Sequence, residues 1–181
     1  MKIIPLLLKD SFLIEPKVHE DHRGFFMESY SKDAFKREGM EIDFVQDNHS
    51  LSKEAGTLRG LHYQLKPKAQ AKLIRVTSGA ILDVILDIRP NSQTFGQWVS
   101  VILSENNKRQ LFVPKGFAHG FCTLVADTQV EYKVDEFYSP EHDRGILWND
   151  PKLNINWPTS QPVLSLKDTT HPCFKDAEIN F

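Results

Sequence analysis

Short apolar runs broken by turn residues dominate the chain, at 24–30, 44–52, 72–78, 80–89, 97–104, 109–114 and 130–138. Each is rich in β-branched and aromatic residues, and they recur about every ten residues with Gly79, Pro90 and Pro114 as punctuation. That spacing predicts the strands of a sandwich or barrel rather than alternating strand and helix. One early stretch reads differently. In 31–39, Ser31 can cap a first turn and Gly39 can supply a left-handed stop, which predicts about two turns of surface helix.

Period-two bookkeeping locates the faces. In 80–89, Leu82, Val84, Leu86 and Ile88 share one apolar face while Asp83 and Asp87 punctuate the other, and both faces are expected to be covered. In 130–138, Val130, Tyr132, Val134 and Tyr138 share a face opposite Glu131, Lys133 and Asp135, so Tyr132 and Tyr138 are expected to look inward together.

Composition narrows the class. The chain has 181 residues, 40% apolar and 25% charged, with no repeat and no linker-like tract, so one globular domain over 1–181 is expected. With 22 Lys and Arg against 24 Asp and Glu the net charge is −2, which offers no basic field for a nucleic acid. The opening apolar run before Lys9 is too short for a signal h-region or a membrane span. Cys122 and Cys173 are far apart and form no C-x-x-C, so neither a disulfide framework nor a zinc knuckle is indicated, and a cytoplasmic protein is expected.

Two segments carry the candidate chemistry. Gly56, followed at a distance by His62-x-Gln64, resembles the first cupin motif, in which two His one residue apart project from one strand face as metal ligands. Gln64 stands where the second His belongs, and Lys68 and Ala69 stand where a Glu is expected. Pro114-x-Gly116-x-x-His119 resembles the later motif. A catalytic metal needs about three protein ligands, and His62 with His119 supply two. The expectation is therefore a cupin-type jelly roll, all-β with short peripheral helices, that keeps its pocket without a metal. Such a pocket suits acid and base work: a His takes a carbon-bound proton, a Tyr returns one, and Lys72 steadies the oxyanion between.

The motifs in their order resemble the dTDP-4-dehydrorhamnose 3,5-epimerase family nearly end to end. They are RGFF-x-E from Arg23, QDN-x-S from Gln46, LRGLHYQ from Leu58, DIRP-x-S-x-TFG-x-W from Asp87, VP-x-GFAHGF from Val113, FYSPE-x-DRGI-x-WNDP from Phe137 and LS-x-KD from Leu164. The resemblance implies an enzyme without metal or cofactor that epimerises C3 and C5 of dTDP-4-dehydro-6-deoxy-D-glucose through an enolate, as a homodimer with N-terminal strands lent to the neighbour. It implies His62 as base, Asp168 as its supporting carboxylate, Tyr132 as acid, and Lys72 and His119 near the sugar. Arg23, Glu28, Gln46, Asn48, Arg59 and Lys167 match nucleotide-contact positions, Tyr138 would stack on thymine, and Asp143 stands where the family more usually carries Glu.

Plainer uses compete for some of these residues. Alone, His62 reads as an ordinary satisfied histidine and Tyr132 as a barrel aromatic. Asp83 reads as a cross-strand ion partner of Lys72, and His19, His22, His49, His142 and His171 take surface or loop roles by default. Other functions fit the same architecture: a mono-epimerase at C3 or C5, a ketoisomerase, a silent sugar-nucleotide-binding cupin, or a metal-dependent cupin enzyme.

Overall fold

The alternation in the sequence closes into two antiparallel sheets laid face to face, in a computed structural model that describes residues 1–181. One sheet runs β1 (Lys2–Pro5), β2 (Phe12–Glu15), β10 (Gln110–Val113), β7 (Lys72–Ser78), β12 (Thr128–Val134) and β5 (Gln46–Ser52). The other runs β13 (Asp143–Gly145), β6 (Leu58–Gln64), β11 (Phe117–Thr123), β8 (Ala80–Asp87) and β9 (Trp98–Ser104). A separate hairpin joins β3 (Val18–Asp21) to β4 (Gly24–Met27). Helix is confined to α1 (Lys32–Arg37) and a 3-10 turn at Phe174–Asp176. This is the expected all-β, cupin-type jelly roll, and none of its helices is long and apolar enough to cross a membrane.

Core packing follows from which strand face meets which layer. Ile74 and Val76 of β7 meet Ile81 and Ile85 of β8, with Phe117 and Phe121 of β11, in the space between the sheets. Each such side chain, withdrawn from water, contributes roughly 1.5–3 kcal/mol. The even face of β8 points the other way. Val84, Leu86 and Ile88 pack under the C-terminal segment, against Leu153 and Phe174, so both faces of the strand are covered as expected. Asp83 and Asp87 sit among the inward residues and are fully buried. Asp87 is held by Arg89, Ser92 and Thr94.

α1 forms as the sequence predicts. The Ser31 side chain accepts a hydrogen bond from the Ala34 N–H, Phe35 is its buried residue, and Gly39 sits at φ +83° past its end.

β12 departs from expectation by stopping at Val134 instead of continuing to Tyr138. Its ladder partner β7 starts at Lys72, opposite Val134, so residues further on have no strand to pair with. The Asp135 carboxylate accepts the Ala71 N–H instead and ends the ladder. Tyr138 therefore lies in the following loop, 56% exposed, rather than inward beside Tyr132.

β6 and β11 approach unusually closely, and two glycines permit it. A Cβ on Gly120 would meet the Arg59 carbonyl oxygen at 2.8 Å, and one on Gly60, itself at φ +114°, would meet the Gly120 Cα at 2.7 Å. The register between these strands shifts next to Gly120, after pairing His119 directly with His62. Gly120→Ala is therefore expected to force the strands apart at a cost of about 2 kcal/mol. Thermal unfolding should register that as a midpoint lower by roughly 4–8 °C.

Candidate active site

His62 stands in the middle of β6, with His119 of β11 opposite it on one side and Gly145 of β13 on the other. Strand alternation turns its ring toward the inter-sheet space, where its side chain keeps 32% exposure at a cleft of about 400 Å³. The ring Nε2 donates to Asp168 Oδ1 at 2.6 Å. An ionised carboxylate on Nε2 keeps the ring proton there and leaves the lone pair on Nδ1, which suits the ring to act as a base.

Asp168 is almost fully buried, at 2% exposure. The Ser165 hydroxyl donates to its Oδ2 at 2.7 Å, and its own N–H donates back to Ser165 Oγ, so the turn in LSLKD fixes the carboxylate. Burial alone would raise the Asp168 pKa, but the neighbouring His171 ring and the bonds from His62 and Ser165 hold it far below the usual carboxylate range. Burial pushes the His62 pKa down, and this outweighs the upward pull of Asp168.

The opposite wall comes from the other sheet. Lys72 opens β7 and Tyr132 lies on β12, and both line the cleft. Lys72 is buried and has no ion-pair partner; desolvation lowers its pKa to about 8, against the pull of Asp143 and Asp83. Burial raises the Tyr132 pKa, so its phenol stays protonated at neutral pH. A base and a proton donor thus enter one cleft from facing sheets, the arrangement that exchange of a proton between two faces of a ring requires.

Asp83 is not the ion partner of Lys72. β7 and β8 belong to different sheets, so no cross-strand pair between them exists. Its Oδ1 instead accepts from His119 Nε2 at 2.8 Å, and both side chains are buried. Gln64 is spent structurally, because its amide binds the Lys68 and Phe137 carbonyls and accepts the Ser139 N–H. With Gln64 turned away and each imidazole held by its own carboxylate, the donor set between His62 and His119 does not fit the usual cupin metal.

A narrower recess of about 150 Å³ adjoins the cleft and shares His62, Lys72 and Tyr132 with it. Gln46, Asn48, Tyr138 and Asp143 line this recess. The Gln46 amide donates to Asn48, the Tyr138 hydroxyl donates to Asp143 Oδ2 at 2.9 Å, and Lys167 forms an ion pair with the same oxygen. Arg59 lines the cleft, held by Ser52 and the Leu51 carbonyl. Arg23, Glu28 and Lys167 are the three predicted residues that line neither space, and of these Lys167 reaches the recess through its ion pair with Asp143. Arg23 pairs with Asp21 on the exposed β3–β4 hairpin, and Glu28 follows that hairpin.

One residue at the site has no sequence signal beyond standing three positions after Asp168. His171, given a surface or loop role by default, does lie in a loop but is only 9% exposed at its side chain, and its ring lies edge-on to His62 at 5.4 Å. Gly145 makes room for it, since a Cβ there would fall inside the His171 ring. The other histidines stay outside: His49 bonds Gln129 and His142 bonds Ser139.

Comparison with known proteins identifies the family. The family model described as dTDP-4-dehydrorhamnose 3,5-epimerase matches residues 5–176. A Shigella flexneri protein of that name is 51% identical over 98% of both chains. The crystal structure of the Bacillus anthracis dTDP-4-dehydrorhamnose 3,5-epimerase, with TDP and PPi bound, superposes with a TM-score of 0.94 at 57% identity, covering 95% of this chain and 98% of that one. A Legionella pneumophila dTDP-6-deoxy-D-glucose-3,5-epimerase in complex with dTDP-4-keto-L-rhamnose gives 0.92 at 46% identity, over 97% and 93% of the two chains. Half of the residues and nearly the whole backbone path being shared end to end, this chain belongs to the dTDP-4-dehydrorhamnose 3,5-epimerase family.

Proposed function

We propose that the protein inverts C3 and C5 of dTDP-4-dehydro-6-deoxy-D-glucose to give dTDP-4-dehydro-L-rhamnose, in dTDP-L-rhamnose biosynthesis, without metal or cofactor. The observation that carries this reading is the His62–Asp168 pair at 2.6 Å in a cleft whose facing sheet presents Lys72 and Tyr132. The 4-keto group acidifies the hydrogens at C3 and C5. Nδ1 of His62 removes one, the charge passes to the carbonyl oxygen near Lys72 and His119, and the Tyr132 hydroxyl delivers a proton to the opposite face. Asp168 stabilises the imidazolium that forms. Repetition at the second carbon, after the bound sugar turns, completes the reaction.

The rim fits a nucleoside diphosphate. Arg59 and Lys167 offer positive charge, and Tyr138 offers a ring face for thymine. Arg23 and Glu28 complete this set from the neighbouring subunit of a homodimer. Their hairpin stands apart from the chain's own cleft, and Phe25 and Phe26 on it are 54% and 68% exposed. The free cysteines, Cys122 and Cys173, suit the reducing cytoplasm.

In D2O the keto sugar should acquire deuterium at both C3 and C5; label at a single carbon identifies a mono-epimerase, and tight nucleotide binding without label identifies a silent binding protein. His62→Asn should lower the rate roughly 10²- to 10⁴-fold, and Tyr132→Phe should slow product formation more than loss of the substrate's α-hydrogen.

The pH profile of kcat/KM should be bell-shaped. His62 must be neutral, so activity falls as pH drops through its lowered pKa. Lys72 must be charged, so activity falls as pH rises through about 8. Lys72→Arg should remove the alkaline limb, because a guanidinium stays charged there.

Subunit mixing tests the shared site. Arg23→Ala and His62→Asn chains, each weak alone, should recover about a quarter of wild-type activity when refolded together in equal amounts, since half the dimers then hold one intact site. No recovery would place Arg23 in its own chain's site.

A further inference from the structure

His171 has a buried ring nitrogen without a full hydrogen bond in the fold. The nearest acceptor recorded for its Nε2 is Asp168 Oδ1, a long contact at 3.6 Å. Buried polar atoms are rarely left so, and an orphan beside a reacting pair calls for a physical account. The side chain is nine-tenths buried, its ring is seated on the bare backbone of Gly145, and Gly145 is the residue paired with His62 across β6 and β13. The fold thus spends a glycine to bring a second imidazole against the first.

We propose that His62, Asp168 and His171 form a binding site for a divalent transition metal such as Zn2+, and that occupation of this site switches the enzyme off. One ligand atom from each residue lies within 4.8 Å of the other two. Two imidazole nitrogens and a carboxylate are a donor set that zinc favours, and two ligands on a tetrahedral ion stand about 3.3–3.5 Å apart. His171 Nε2 and Asp168 Oδ1, at 3.6 Å, stand just beyond that separation. The closer His62–Asp168 pair, at 2.6 Å, would open by roughly 0.7 Å to admit the ion. Ser165 anchors the second carboxylate oxygen, the outer-shell contact that orients a metal-bound carboxylate.

Inhibition follows from the tautomer. With Asp168 as partner, the neutral His62 ring carries its proton on Nε2 and its lone pair on Nδ1. A metal on Nε2 needs a lone pair there, so the ring's single proton moves from Nε2 to Nδ1 through solvent and Nδ1 is no longer a base. Binding rests on geometry alone; its effect on catalysis rests on His62 being the base.

The full-length protein, treated with EDTA and titrated with ZnCl2 in a non-chelating buffer, should bind one zinc per chain by calorimetry. Epimerisation should fall in step with occupancy and return on adding EDTA. His171→Ala should weaken zinc binding at least about 30-fold, on the scale by which metal-site contacts matter, and His171→Gln serves if the smaller residue prevents folding. Absence of stoichiometric binding overturns the site, as does binding that ignores both His171 changes, which would belong to surface histidines such as His19 or His22. If zinc binds in a His171-dependent way and epimerisation continues undiminished, the switch is wrong and His62 is not the base. Calorimetry decides the site even if the keto sugar is not turned over.

Discussion

A buried carboxylate is costly unless its surroundings offset it, and Asp168 is the buried carboxylate on which the cleft depends. Ser165 binds one oxygen, His62 the other, and His171 crowds the same oxygen from the side. These contacts keep the group ionised in the interior. The charge so held sets the His62 tautomer, and the tautomer decides which nitrogen carries the lone pair. Removing Asp168 would leave an imidazole with no fixed proton and no fixed direction.

The two-sheet architecture supplies what a single carboxylate pair cannot. His62 and His119 hang from the five-stranded sheet, Lys72 and Tyr132 from the six-stranded one, and the cleft lies between. Inversion at carbon needs removal of a proton from one face and delivery to the other, so a site built on one sheet would serve poorly. The close contact of β6 with β11 through Gly60 and Gly120 accompanies a register that sets His62 beside His119.

Two carboxylate–imidazole pairs face the same space with different electrostatics. His62 remains a third exposed, where a substrate hydrogen can reach it, while His119 and Asp83 are sealed in. Lys72, desolvated between them without a direct ion pair, stays poised near neutral pH. Burial and charged neighbours together set His62 and Lys72 apart for the proposed proton removal and charge stabilisation.

The sequence by itself determined a good deal. Apolar runs at strand spacing fixed the all-β class, the capped turn after Ser31 fixed α1, and the loss of cupin ligands at Gln64 pointed away from the usual metal. Motif order named the family and brought His62, Lys72, Tyr132 and Asp168 forward as a set. What alternation could not tell was which strands share a sheet. Lys72 and Asp83 look like cross-strand neighbours in the chain, and only the closed sandwich puts them in opposite layers. Tyr138 shares the parity of Tyr132, but the ladder ends at Val134 because β7 has no earlier residue to pair with it. His171 carried no periodic or motif signal at all. Its burial beside His62 depends on the missing side chain of Gly145 and on a C-terminal segment folded back over β13, contacts that join residues remote in sequence and exist only once the chain has closed.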